Sequence, residues 1–405
     1  MKRPIPVKFT LAWHKRKAGT AAEKFLLELS SLPVAAGRED AAIAFVAAWA
    51  RRIKTIALSR DRCGNLMIAR RDFKKACARK APLFITAHLD HPAFVVRAKP
   101  AAGSSDVSLE FRGGVQDPYF KGALIEIFDP LLRESFAARI TSLDAGAKPF
   151  KTVTARLARP GAAAQLGAGC LARWKFPPAA IIKGIVRTHA CDDLATVAAA
   201  LLAYEDIARS AKLAHVALLL TRAEEIGFVG AIGAARGGSV PKNARLVCLE
   251  CSRSFPHDSP IGAGPIVRVG DRLSVFTPEL TNAISRIAAA HRKANPAFRF
   301  QRKLMPGGAC EATAFAAYGL SSACVCLPLG NYHNMADVDA VLAGRKKPRV
   351  APEFISAADF HGLVELLGAI ARGIDKPGPT IRDTMEKLWA RHGLVLTGKT
   401  RAAKK

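Results

Sequence analysis

Short, almost unbroken apolar runs recur along this chain, and each leads to a histidine or a carboxylate. Leu83-Phe84-Ile85-Thr86-Ala87 precedes His88-Leu89-Asp90, and the run from His215 to Leu220 precedes Glu224-Glu225. Arg245-Leu246-Val247-Cys248-Leu249 precedes Glu250, and Ala323-Cys324-Val325-Cys326-Leu327 leads through Pro328 to His333. Runs without polar alternation predict strands buried on both faces. They set strands over 83–87, 215–222, 244–250 and 322–327, with another over 297–302. Between them, apolar residues at three- and four-residue spacing predict helices over 21–32, 39–52, 193–208, 228–236, 277–293, 311–318 and 354–373. Such alternation predicts an α/β fold with a mixed, mostly parallel sheet flanked by helices.

The pattern changes between residues 93 and 187. Ser108-Leu109-Glu110-Phe111-Arg112 and Ala123-Leu124-Ile125-Glu126-Ile127-Phe128 alternate with period two and are separated by Gly, Pro and Asp. This predicts a small all-β domain inserted into the α/β domain, which would then comprise residues 1–92 and 188–405.

Composition narrows the class. No run approaches the length of a membrane span, so no membrane partner is expected. The N-terminus lacks the apolar segment of a secretory signal. Nine irregularly spaced cysteines fit a reducing cytoplasm better than a disulfide framework. Cys248 and Cys251 form a lone CxxC inside a predicted strand, a poor zinc or redox signal without a second pair. The net charge of +28 raises the question of nucleic acid. Much of it lies in two tails, 1–20 and 391–405, and in the stretch 51–80, whose only aromatic residue is Phe73. Without stacking platforms a functional nucleic-acid role is not expected.

The chemistry sits where the runs end. In parallel sheets ligands gather at the carboxyl ends of the strands, so these polar groups converge on one rim. Taken singly, each residue has a structural use: a strand-end His88 can be a satisfied core histidine, and Asp192-Asp193 can open the following helix. Taken together, His88, Asp192, Glu225, Glu250 and His333 make an N/O ligand set for two divalent metals, one Asp bridging them. Three carboxylates against two dications leave the site positive, which lowers the pKa of a bridging water toward neutrality. Glu224, beside Glu225, is placed to carry that water's proton, and Asp90 to orient the His88 imidazole. Zinc is the expected metal, with cobalt or manganese able to use the same donors.

The order HxD, a helix-opening Asp-Asp, Glu-Glu-x-Gly, a strand acid and a C-terminal His resembles the co-catalytic dinuclear zinc exopeptidases. Together with Thr221 to Ala231 and Gly307-Gly308, it is most similar to the tetrahedral aminopeptidase family of glutamyl and leucyl aminopeptidases. That resemblance, over roughly residues 20–375, implies the inserted β domain, Asp192 as the bridging ligand, Glu224 as general base, short peptide substrates and a homo-oligomer. Glu250 departs from the usual Asp and is similar to the aminoacylase and carboxypeptidase branch. Gly307-Gly308-Ala309-Cys310-Glu311 replaces a Gly-Gly-Thr-Asp pattern, with Glu311 in the place of the Asp; neither Arg-x-Gly after Asp193 nor His-Ser-Pro at His333 is present. The expected activity is aminopeptidase hydrolysis. An amidohydrolase or carboxypeptidase acting on N-acylated amino acids is the alternative, and a catalytically silent polyanion binder acting through the tails is a third.

Overall fold

The computed structural model describes residues 20–397 apart from 102 and 160. Of the basic tails, residues 1–19 and 398–405 therefore lie outside the described residues. The strands, in chain order, are β1 (Ile56–Arg60), β2 (Leu66–Arg70), β3 (Leu83–His88), β4 (Ala93–Val96), β5 (Asp106–Arg112), β6 (Leu124–Phe128), β7 (Ser135–Asp144), β8 (Lys151–Leu157) and β9 (Leu171–Trp174). They continue with β10 (Ala180–Ile182), β11 (Ile185–Thr188), β12 (Val216–Thr221), β13 (Arg245–Arg253), β14 (Ile266–Gly270), β15 (Gln301–Leu304), β16 (Ser321–Leu329), β17 (Met335–Ala336), β18 (Arg349–Val350) and β19 (Glu353–Ser356). The helices are α1 (Ala21–Ser30), α2 (Asp40–Arg51), α3 (Phe73–Cys77), α4 (Leu194–Ile207), α5 (Val229–Arg236), α6 (Pro278–Ala294), α7 (Glu311–Ala317), α8 (Val338–Leu342), α9 (Ala357–Gly373), α10 (Ile381–His392) and α11 (Leu394–Thr397).

Eight strands form the main sheet in the order β1-β2-β12-β3-β13-β16-β14-β15. Its centre, β12-β3-β13-β16, is parallel. Side-chain alternation sends Leu83, Ile85 and Ala87 of β3 into one core and Phe84 into the other. The first core is completed by α1, α2, α4, α6 and α9, the second by α5 and α7. Helix α4 is buried along nearly its whole length, and its Ala198-Ala199-Ala200 step lets α1, α9 and β3 approach closely. The α/β sheet flanked by helices is thus the architecture that the apolar runs predict.

The second unit is a closed barrel, β4-β5-β8-β7-β6-β9. Inward residues of these alternating strands meet in an aromatic cluster. Phe94 stands 4.8 Å from both Phe111 and Trp174, and Phe111 stands 4.9 Å from Phe120. Trp174→Ala would empty the middle of this cluster, and we expect a loss of about 3–5 kcal/mol in denaturant unfolding.

Several elements differ from expectation. Strand β13 runs on to Arg253, because its pairing with β16 continues through Ser252↔Pro328 and Arg253↔Leu329. Glu250 therefore lies within a strand and not at its end. β15 begins only at Gln301, and the helix expected from residue 354 begins at Ala357 because Glu353–Ser356 pairs with β11. The short β14 carries a fully buried Arg268 that hides its strand character. All nine cysteines are free thiols. Among the described residues no helix is long and apolar enough to cross a membrane.

Candidate metal centre

The residues singled out in the sequence converge at the carboxyl edge of the sheet. His88 is the last residue of β3, Asp192 precedes α4, and Glu224 and Glu225 lie just past β12. Glu250 projects from within β13, and His333 follows β16. Glu225 is partly covered, and His88, Asp90, Asp192, Glu224, Glu250 and His333 are buried.

Asp192 stands at the middle. Its Oδ1 lies 3.4 Å from His88 Nε2, and its Oδ2 lies 3.8 Å from His333 Nε2. His333 Nε2 is also 3.3 Å from Glu225 Oε2, and His88 Nε2 is 4.0 Å from Glu224 Oε2. Two triads between them use all five expected ligands, His88–Asp192–Glu250 and Asp192–Glu225–His333, each with donor atoms within 4.8 Å of one another; His88–Glu224–Glu225 and Asp192–Asp193–Cys251 meet the same limit. Each of the first two could hold one cation. Asp192 Oδ1, Glu225 Oε1 and Glu250 Oε1 are buried and without a hydrogen-bond partner. Carboxyl oxygens at such depth need a cation or a proton to offset their desolvation.

The protonation pattern agrees. Burial alone would discharge His88, but Glu224, Asp192 and Asp90 outweigh it and hold the imidazole protonated well above its ordinary range. Burial also opposes the charge on His333, yet Glu225 and Asp192 push it up to about 9. Burial and the charge of Glu225 drive Glu224 well above the carboxylate range, although His88 pulls the other way. Burial, Glu224 and Asp192 do the same to Glu250. Asp192, by contrast, is held low, because His88 and His333 overcome its burial.

Surrounding groups fix the two imidazoles. His88 Nδ1 faces the Asp90 carbonyl at 3.2 Å, and His333 Nδ1 faces the Gly114 carbonyl at 2.6 Å. Donation from each Nδ1–H leaves Nε2 free toward Asp192. Asp90 was expected to orient His88, and its Oδ1 lies 3.4 Å from that ring. Its two oxygens also accept the Glu224 and Glu225 N–H groups, each at 3.0 Å. Asp193 sits at the start of α4 without capping it; instead its Oδ2 accepts the His88 N–H at 3.2 Å. Glu311, in the segment that departs from the family pattern, is buried and accepts the Thr86 hydroxyl at 3.4 Å. Burial pushes it up to about 7. Cys248 and Cys251 point into opposite cores, so the CxxC cannot act as a pair.

Two buried residues escaped the sequence reading. His91 Nδ1 meets the Asp192 carbonyl and its Nε2 lies 3.0 Å from Asn334 Oδ1. Glu353 accepts the backbone N–H groups of Asp192 and His333. His91 follows the HxD motif directly, and that adjacency was a usable signal; Glu353 carries none.

Residues 164–346, a little under half of the chain, match the family described as M42 glutamyl aminopeptidase. No curated protein matches the sequence. Among solved structures, the TET1 peptidase of Pyrococcus horikoshii, described as able to assemble into a tetrahedron or a large octahedral shell, shares 17% identity. The similarity covers 87% of this chain and 99% of that one, with a TM-score of 0.67. An aminopeptidase from the archaeon Desulfurococcus kamchatkensis is 17% identical, covering 89% of this chain and 98% of that one at a TM-score of 0.68. A TET aminopeptidase from a marine-sediment archaeon of the Thaumarchaeota is 15% identical, covering 88% and 98% at 0.68. At these identities the structures establish a common fold. Over residues 164–346 the chain thus resembles the M42 glutamyl aminopeptidase family, and it shares the fold of the TET aminopeptidases over most of its length.

Proposed function

We propose that the protein is a metal-dependent aminopeptidase that removes N-terminal residues from short peptides. The observation that carries this reading is the pair of triads sharing Asp192, with three buried carboxyl oxygens that accept no hydrogen bond. His88, Asp192 and Glu250 would hold one divalent cation, and Asp192, Glu225 and His333 the other. When bound, the two cations supply Lewis acidity toward the scissile carbonyl and toward the attacking water. The all N/O donor set favours zinc and accepts cobalt or manganese.

The chain's own residues do the rest. Glu224, not needed in the shared pair of triads, has the elevated basicity of a general base and would pass the water's proton to the departing amine. Asp90 holds Glu224 and Glu225 in register through their N–H groups. The His88 and His333 rings are fixed through Nδ1. Assembly of the TET1 relative into closed shells supports a homo-oligomer here, and the free thiols support a reducing, cytoplasmic setting.

Metal-loaded protein should release the first residue of unblocked di- and tripeptides and leave their N-acetylated counterparts intact. The opposite preference would replace this reading with acyl-amino-acid hydrolysis, which Glu250 in place of Asp favours. Metal uptake should depend on pH in a defined sense. With the metal-free His333 titrating at about 9, its proton must leave before Nε2 can bind a cation. Apparent affinity should therefore rise with pH, by about tenfold per pH unit for each ligand proton displaced, across the range in which His333 is still protonated. Metal titrations at stepped pH values read this directly; a flat profile between neutrality and the His333 pKa would refute it.

A further inference from the structure

Asp192 and His333 reach the site from distant stretches of chain, and one short strand is hydrogen-bonded to both approaches. β19 pairs antiparallel with β11, which leads to Asp192, and sets Glu353 opposite Thr188. Its next residue bridges the other approach: the Gly330 N–H donates to the Phe354 carbonyl at 2.9 Å, and the Phe354 N–H donates back at 3.2 Å. The Glu353 side chain, 0% exposed, then closes the link. Its Oε2 accepts the Asp192 N–H at 2.9 Å, and its Oε1 accepts the His333 N–H at 2.8 Å.

Both partners need such support. His333 has a left-handed backbone, φ 53°, and so do Asn331 at 54° and Asn334 at 63°. Non-glycine residues keep that conformation only where their surroundings over-determine it. A carboxylate buried among other acids is itself costly, and its use here is to occupy two backbone donors with two oxygens. Each oxygen thus has a backbone N–H partner.

We propose that Glu353 is a positioning residue that fixes the Asp192 and His333 backbones before any metal arrives, so that the shared carboxylate and the second imidazole meet ready-spaced. This rests on the metal-centre reading above. Glutamine at 353 would keep the shape, yet its NH₂ would confront one of the two N–H donors, so one half of the clamp fails.

The test has two parts. In metal-free wild-type protein, residue-resolved hydrogen exchange should show slow exchange at both the Asp192 and His333 amides; fast exchange at both overturns the clamp. Metal-free Glu353→Gln is then titrated with Co²⁺, followed by visible absorption. We expect affinity weakened by about 10–100-fold, the usual cost of losing a group that holds ligands in place. Glu353→Asp, which keeps the carboxyl group on a shorter arm, serves if the Gln variant does not fold. Wild-type Co²⁺ affinity and spectrum in either folded variant overturn the proposal. Wild-type protein that binds no Co²⁺ would instead overturn the metal-centre reading, a result distinct from any of these.

Discussion

Glu224→Gln should leave metal content unchanged and lower peptide hydrolysis by about 10²–10⁴-fold, the contribution of a positioned general base. The substitution preserves volume and the backbone contact to Asp90, and it removes only the ability to accept a proton. Glu224 is the acid of the adjacent pair that faces His88, whereas Glu225 faces His333. Its burial next to like charges raises its basicity, the property required of a group that must take a proton and later release it. Two measurements on one sample decide the outcome: metal content by elemental analysis, and kcat on an unblocked dipeptide. Activity close to wild type would remove Glu224 from its role. Loss of metal together with activity would make it a ligand instead.

Asp192→Ala should be more damaging, abolishing measurable hydrolysis and reducing bound metal from two equivalents to less than one. Asp192 belongs to both triads, so its loss leaves each with one imidazole and one carboxylate. Truncating Glu250 or Glu225 alone disturbs one triad and should spare a single equivalent. The comparison of the three variants by metal analysis is therefore sharper than any one of them. Two equivalents retained in Asp192→Ala would exclude a shared carboxylate.

Legibility in the sequence tracked the strength of local signals. The strands β3, β12, β13 and β16 were readable because a two-face-covered parallel sheet leaves no room for polar alternation. Their ends follow, and with them His88 and the Glu224-Glu225 pair. Glu250 was legible as a residue and misread as a position, since a carboxylate inside an apolar strand looks like its terminus. β19 and β14 were not legible. Four residues beginning with Glu353, and five centred on Arg268, carry no periodicity of their own and exist because neighbouring strands offer edges. The same reason hid Glu353 itself. Its role is defined by two backbone donors brought together only by the tertiary fold, and backbone donors leave no mark on side-chain identity. Asp90 lay between these cases: HxD spacing revealed its relation to His88, whereas its hold on Glu224 and Glu225 needed the loop after β12.

The contact between Gly114 and His333 ties the barrel to the reaction in a way that variation among relatives would not report. Gly114 belongs to the barrel unit, and it is its carbonyl oxygen, a group every residue possesses, that faces His333 Nδ1. A side chain at 114 would begin 3.7 Å from that nitrogen, ordinary contact distance, so the position tolerates exchange. What cannot change is the path of the loop. Insertions or deletions between β5 and β6 would let His333 rotate or adopt its other tautomer, even with every acid and imidazole of the site intact. Grafting a foreign barrel would thus have to reproduce the length of this loop as well as the side-chain contacts the barrel makes with the body, such as Tyr119 to the Ala336 carbonyl.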